Sequence, residues 1–286
     1  MNSIAIGRGL LVLSMSLAGC RDAQKMHGEE SAAALRADLG RAREASRRVT
    51  DQFGPRVREL VSQVAAPMAG NDPPALRSAL VGFTTPGGPM TLFPTSFVAV
   101  TDREGRAMAR DVPNETDDRM KGLPLKDLFS CVRGALEGRD GVCVGELPAV
   151  GAVPSRVLLV AAAPVRDGSQ SVIGALAAGI TFGALARMID GAVRPGVGSA
   201  VLWTGLRMGT RVLPAGTDQD VPRRWLVPDS LIRVIPAAQA NALAGTAGEH
   251  VWAFSQDGRG WGGAVGSLPT IPGAALVLFR SEANQR

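Results

Sequence analysis

The chain has 286 residues, enough for one large core or for two domains of about 100 to 150 residues each. Hydrophobic residues make up 45% of it and charged residues 20%, which excludes both a disordered chain and a polytopic membrane protein. The net charge of +5 comes from scattered arginines with no interleaved aromatics and no recognisable nucleic-acid module, so the expected partners are anionic membranes or acidic ligands and not nucleic acid.

At the amino terminus Arg8 precedes the apolar run "GLLVLSMSLAG" and then Cys20, the pattern of a signal peptide whose apolar stretch is too short to span a bilayer comfortably. The tetrad Leu17, Ala18, Gly19, Cys20 resembles the lipobox of bacterial lipoproteins. That resemblance implies cleavage after residue 19, diacylation of the Cys20 thiol and acylation of its new amino group. Several acyl chains on one residue anchor a protein stably where a single chain does not. An ordinary secretory signal, or a short membrane anchor with an unrelated cysteine, is the alternative. Arg21 stands where some Gram-negative lipoproteins carry the aspartate that retains them at the inner membrane, which is compatible with outer-membrane sorting.

Residues 21–30 are polar and read as a tether. From Ser31 to Ala66, Leu35, Leu39, Ala42, Ala45, Val49, Phe53, Val57, Leu60 and Val64 recur every three or four residues, the face of a long helix interrupted or kinked at Gly54-Pro55. Its arginines alternate with acidic residues, as on a solvated face; a membrane-binding patch is the other reading. Asp72 followed by Pro73-Pro74 caps a second short helix ending near Gly82.

"SFVAVTDREGRAMARD" reads as a hairpin in which Asp102 and Gly105 make the turn. "LPLKDLFSCVRGALEG" sets Leu125, Leu128, Phe129, Val132 and Leu136 on one helical face, with Gly138 as the stop. Strands follow at Val142 to Leu147, Arg156 to Val165 and Ser171 to Thr181, the last two joined at Asp167-Gly168. Five antiparallel strands with a helical insertion after the second make an α+β domain, with its helices expected on one face of the sheet. After a connecting helix carrying Phe182, Leu185 and Ile189, the order recurs: "GSAVLW" and "RMGTRVL", a helical stretch from Asp229 to Leu243, then "EHVWAFSQ", "GWGGAVGS" and "AALVLF".

Beyond Cys20 two cysteines remain, Cys131 and Cys143, an even number in a compartment where disulfides persist, and they are expected to pair. Closing that loop would contribute about 3 kcal/mol in the chain-entropy model. Two buried free thiols are the alternative. No enzyme, metal or cofactor constellation is evident. His27 and His250 are isolated, "GRGWGG" lacks a P-loop lysine, and Asp117-Asp118 read as solvated in a polar loop.

The layout resembles the double-Cache arrangement of extracytoplasmic sensor domains, relatives of PAS domains. "FVAVTDREGRAMAR" is similar to the opening hairpin of that family and "LLVAAAPVRDGSQSVIGALAAGI" to its closing hairpin; the second half rests on element order. The implied fold is a long N-terminal helix followed by two PAS/Cache-like modules with five-stranded antiparallel sheets. The corresponding division is signal peptide 1–19, tether 20–30, helical segment 31–82, first module with connecting helix 83–195 and second module 196–286. The family implies a ligand on the helix-covered sheet face. Ala161, Ala162, Ala163, Ala175, Ala177, Ala178 and Gly179 free space on two adjacent strands, which a closely packed helix or a ligand must fill. Pro164 belongs at an edge or bulge.

The tyrosine-containing set of amino-acid-binding members cannot be carried over, because the chain has no tyrosine. Phe129, Arg133 and Arg156 are the candidate ligand-binding residues, the two arginines for an anion. Trp203, Trp225, Trp252 and Trp261 fall in the second module as core, site or partner surface. The expectation is a lipid-anchored sensory or small-molecule-binding protein of the cell envelope, on the extracytoplasmic side. The sequence printed ends without an output domain, so signalling is expected through a membrane receptor or another envelope protein. An adaptor or structural lipoprotein that binds only proteins is the alternative.

Overall fold

A computed structural model describes residues 7–149, 154–209, 211–215, 248–256, 258–271 and 273–282, with side chains from residue 25 onward, Pro214 excepted. Helix α1 (Gly7–Ala69) is 63 residues long and extends about 95 Å at the usual rise. It buries Leu35, Leu39, Ala42, Val49, Phe53, Val57, Leu60, Val64 and Met68, the periodic face expected from the sequence. Two details differ. Ser46 is fully buried where Ala45 was expected to point inward, and the helix passes through Pro55 without interruption. Proline removes one hydrogen bond, but the buried residues on either side, Phe53 and Val57, hold the flanking turns against the rest of the core. The segment read as a tether belongs to the same helix, and within it Gly28 is already buried.

Asp72 caps helix α2 (Pro73–Thr84), its carboxylate accepting the Ala75 N–H at 3.0 Å, with proline in the first turn. Strands β1 (Thr95–Thr101) and β2 (Ala107–Arg110) form the hairpin; the Arg106 N–H donates to Asp102 Oδ1 at 2.8 Å, and Gly105 takes φ +78°. Two short helices, α3 (Leu125–Leu128) and α4 (Ser130–Leu136), precede β3 (Gly141–Leu147), β4 (Arg156–Arg166) and β5 (Val172–Thr181). The sheet order is β2-β1-β5-β4-β3, antiparallel throughout. Pro164 lies past the end of β3, whose Gly141 pairs with Ala162, so its missing N–H falls at a local edge.

Helix α5 (Phe182–Val193), capped by Thr181, leads to β6 (Val201–Met208), β7 (Arg211–Pro214), β8 (Glu249–Gln256), β9 (Arg259–Ser267) and β10 (Ala274–Ser281). The second sheet has the order β7-β6-β10-β9-β8. With strands counted from the start of each module, this is the same order as in the first, so the expected repeat is real at the level of topology. The helix expected from Asp229 to Leu243 lies outside the described residues, as does Trp225.

The first sheet is covered on both faces, not one. Val98, Val100, Leu159, Ala161, Ala163, Leu176, Ala178 and Ile180 join the core formed with α1 and α2, whereas Phe97, Ala99, Leu158, Val160, Ala162, Ala175 and Ala177 pack with α3 and α4. The reason is legible in β4 and β5, whose apolar residues run on without alternation, the mark of strands buried on both sides.

One helix lines both modules. The N-terminal half of α1 lies on β8, β9 and β10 and its C-terminal half on β4 and β5. On β9 the residues facing α1 are small, and a Cβ on Gly262 would stand 2.5 Å from the Ala32 nitrogen. Polar ties fix the register. Arg280 donates from Nη1 to Asp38 Oδ2 at 2.8 Å and from Nε to Glu282 at 2.6 Å, Asp38 also pairs with Arg41, and Arg43 reaches the carbonyls of Gly248 and Ser267. Burial disfavours the Arg280 cation, but the bonds to Glu282 and Asp38 outweigh it and hold its pKa above the usual arginine value. Gly262→Val is expected to destabilise the protein by about 1–3 kcal/mol, whereas Gly40→Ala, on the exposed side of α1 with nothing within 4 Å, is expected to stabilise it by about 0.5–1 kcal/mol. Urea unfolding of the two variants checks both signs.

Candidate functional site

The sheet faces turned away from α1 are the places where a ligand could lie against each module, and they differ. On the first sheet, α3 and α4 are two helices and not the one expected, because Phe129 between them is extended at φ −133°, ψ 113°. That break delivers its ring to the sheet. A Cβ on Gly145 would lie 2.5 Å from Phe129 Cδ1, and one on Gly179 would lie 2.5 Å from Phe97 Cε1; the two rings are 6.3 Å apart. The small residues are therefore occupied from both directions. Ala161, Ala163 and Ala178 admit α1, while Ala162, Ala175, Ala177 and Gly179 lie under the insertion with Phe129 and under Phe97 of β1.

Cys131 and Cys143 are joined in a disulfide with Cα atoms 5.4 Å apart, fastening α4 to the edge strand β3. The three residues singled out for a ligand differ in burial. Phe129 is wholly buried; Arg133 is exposed and donates to the Lys126 carbonyl at 3.4 Å; Arg156 is half-buried at the start of β4, on the side of Leu158.

On the second sheet the face away from α1 has a polar end and an aromatic end. Arg207, Ala275 and Ser267 lie side by side across β6, β10 and β9. Gly205, Val277, Val265 and His250 form the next row, then Trp203, Phe279, Gly263 and Trp252. The Trp252 ring lies over Gly263, stacks on His250 at 5.4 Å and meets Phe279 edge-on at 6.2 Å. Glycine is needed at 263 because any side chain there would enter the indole.

Two buried polar atoms on this face have no hydrogen-bond partner, Trp252 Nε1 and Ser267 Oγ, and Ser267 is only 7% exposed. Each such atom costs about 1–3 kcal/mol when left unpaired. Arg207 in the same row is buried, and that burial lowers its pKa from the usual arginine value. Of this set the sequence reading singled out Trp252, Trp203 and Trp261. Ser267 and Arg207 were missed, although alternation along β6 and β9 puts them on the tryptophan face.

Among the described residues no group of three or more His, Cys, Asp or Glu could hold a metal ion. His27 contacts Glu30 at 3.3 Å on exposed helix, far in sequence from His250. No helix among the described residues is long and apolar enough to cross a membrane.

The fold is that of Cache/PAS-like sensor domains. The ligand-binding domain of the Campylobacter jejuni chemoreceptor Tlp3, solved with L-norvaline, is 12% identical and superposes with a TM-score of 0.53 over 90% of this chain and 92% of its own. The sensor domain of the Vibrio cholerae histidine kinase DctB is 12% identical, with a TM-score of 0.52 over 90% and 99%. The extracellular domain of vpHK1S-Z8 gives a TM-score of 0.61 at 10% identity over 89% and 92%. No protein-family model matches the sequence, and no curated protein matches it significantly.

Replacing both Cys131 and Cys143 by serine is expected to lower stability by about 3 kcal/mol, the loop-closure contribution, measured by denaturant unfolding.

Proposed function

We propose that this chain is the ligand-binding part of an extracytoplasmic sensor, held at a bacterial membrane by lipid on Cys20, and that it takes a small molecule on the aromatic face of the second sheet. The observation that carries the reading is the pair of unpartnered buried atoms, Trp252 Nε1 and Ser267 Oγ, on that face. A ligand with an apolar or aromatic body would stack among Trp203, Trp252 and Phe279, and its hydrogen-bond acceptors would satisfy the indole N–H and the hydroxyl. The fold shared with ligand-binding sensor domains supports a sensory role.

The lipobox-like tetrad supports the anchor. Gly28 follows Cys20 by eight positions on α1, about 12 Å of helix, so the second sheet would stand beside the membrane and α1 would carry the first module outward. One observation favours the competing reading of an adaptor that binds only proteins: the first module's covered face is filled by Phe97 and Phe129.

Thermal unfolding in the presence of small carboxylates and aromatic metabolites distinguishes them. A ligand at one hundred times its Kd raises stability by about 2.7 kcal/mol. Trp252→Phe and Ser267→Ala are each expected to weaken that ligand about tenfold by removing one bond to it. No stabilisation by any compound, together with a stoichiometric protein partner recovered from membranes, would decide for the adaptor. Mass spectrometry of the membrane fraction is expected to find lipid on Cys20 and to find Cys20→Ser unmodified and released; unmodified wild-type precursor in the cytosol would end the anchoring proposal.

A further inference from the structure

The outer face of the second sheet runs lengthwise from its polar end to its aromatic end, and α1 fixes which of them lies nearer Cys20. A Cβ on Gly28 would stand 3.3 Å from the carbonyls of Phe254 and Trp261, whereas one on Gly266 would stand 3.0 Å from Leu39, well along the helix. The pair Phe254 and Trp261 is therefore at the Cys20 end of the sheet, and the row of Arg207, Ala275 and Ser267 is at the far end. Six strand residues separate Trp261 from Ser267, about 20 Å. Among the described strand residues that alternate onto this face, Arg207 and Arg259 carry the charges, one at each end, and none is a carboxylate. Glu249 turns to the opposite side, where it pairs with Arg43.

Three demands follow one another along the face. A buried cation and an unpartnered hydroxyl, Arg207 and Ser267, stand at the far end. The unpaired Trp252 N–H lies over Gly263, about 14 Å nearer Cys20 at four strand residues from Ser267. Apolar rings, Phe254 and Trp261, come last. Between the first two, Gly205, Val277 and Val265 keep the surface low enough for a flexible group to pass. Met26, 55% exposed and two residues nearer Cys20 than Gly28, adds an apolar side chain at the aromatic end. An anionic head, a carbonyl acceptor and an apolar chain, in that order, complement the sequence of groups.

We propose that the ligand of this face is a single-chain anionic phospholipid drawn head first from the bilayer, its phosphoglycerol head on Arg207 and Ser267, its ester carbonyl accepting the Trp252 N–H, and its acyl chain trailing over Phe254 and Trp261 toward the membrane. This rests on the reading of the face as a ligand site and of Cys20 as the anchor. On that anchor the aromatic end faces the bilayer, so the head of a departing lipid travels to the far end and the chain leaves last. One leaflet's chain is about 15 Å long, half the hydrocarbon core, and spans the aromatic end once the head is seated. A fatty acid would give Arg207 its anion but offer Trp252 no second acceptor, and a small aromatic acid would not reach both ends. One chain and not two follows from the cost of extraction, which is about fourfold in the equilibrium for every methylene lifted from the bilayer.

Calorimetric titration of the soluble Cys20→Ser chain, with each lipid below its micelle-forming concentration, tests this. Myristoyl lysophosphatidylglycerol is expected to bind, and glycerophosphoglycerol, the same head without the chain, to bind at least about a hundredfold more weakly. Tetradecanoate and myristoyl lysophosphatidylcholine are each expected to bind about tenfold more weakly, the first for want of an acceptor at Trp252 and the second because its choline brings a cation to Arg207. Arg207→Met is expected to erase the preference for phosphoglycerol over phosphocholine, and Phe254→Ser to weaken lysophosphatidylglycerol about tenfold while leaving glycerophosphoglycerol unchanged. If Arg207→Met does not fold, Ser267→Ala takes its place, with an expected loss of about tenfold. The proposal is overturned if the two lysolipids bind the parent chain alike, which is adsorption without recognition of the head, if tetradecanoate matches lysophosphatidylglycerol, or if the variants leave affinity unchanged. An aromatic acid that binds through Trp252 while no lysolipid binds overturns the lipid and keeps the ligand site; no binding by any compound overturns both.

Discussion

The whole architecture depends on how near one helix can come to two sheets. A side chain on every strand position would hold α1 away from β9, but Gly262 has none, and the helix backbone at Ser31 and Ala32 occupies the space where its Cβ would be. The same solution appears in the first module with alanine in place of glycine, at Ala161, Ala163 and Ala178. Close approach brings many weak contacts into range at once, and their sum stabilises a long helix that its own propensity would leave marginal. The cost is tolerance, because a close-packed interface has no room to absorb an added methylene.

Packing of small residues is poor at specifying register, since one smooth face slides on another with little penalty. The buried ions supply what the glycines lack. Asp38 on α1 is fully buried and meets Arg280 on β10, while Ser31 accepts the Glu282 N–H about two turns earlier along the helix. An ion pair of this kind gains little over an apolar pair of equal size, yet leaving either partner alone costs several kcal/mol. Any slip of α1 would do that, so the pair locks helix to sheet more by penalty than by attraction. At the other end of the chain's repeat, Asp190 on α5 accepts from both Arg194 and Thr204, fixing the connecting helix to the first strand of the second module.

Much of this was legible from residue order alone. The α1 stripe, the Asp72 cap, the Asp102–Gly105 turn and the repeated strand order all follow from local periodicity and turn chemistry, which depend on neighbours in sequence. What escaped was decided by distant partners. Phe129 fits a helical face in every local respect, and only the empty position at Gly145 draws it out of the helix. Pro55 argued for a break that burial on both sides of it prevents. Asp118 looked solvated beside Asp117 because nothing in the loop indicates that Arg77, forty-one positions earlier, lies behind it. The candidate site was half visible: tryptophans announce themselves, whereas Ser267 becomes notable only when its hydroxyl is found buried without a partner.

Gly262 and Gly263 are consecutive, and this bears on how an event on one side of the second sheet could reach the other. Because neighbouring strand residues face opposite ways, Gly263 lies under the Trp252 indole and Gly262 lies against the backbone of α1. Neither contact has slack, so the indole and the helix are separated by the thickness of a single strand. A ligand that draws the Trp252 N–H toward itself shifts the ring that rests on β9, and a shift of β9 toward or away from α1 is opposed at once by the helix backbone. The effect on the equilibrium equals the difference in the ligand's affinity between the two placements of the strand, and no more. Since α1 also floors the first sheet, a displacement at Gly262 would press on a helix that the first module shares. The small residues that let one helix serve two sheets are therefore also what would make that helix responsive to a guest on the far face.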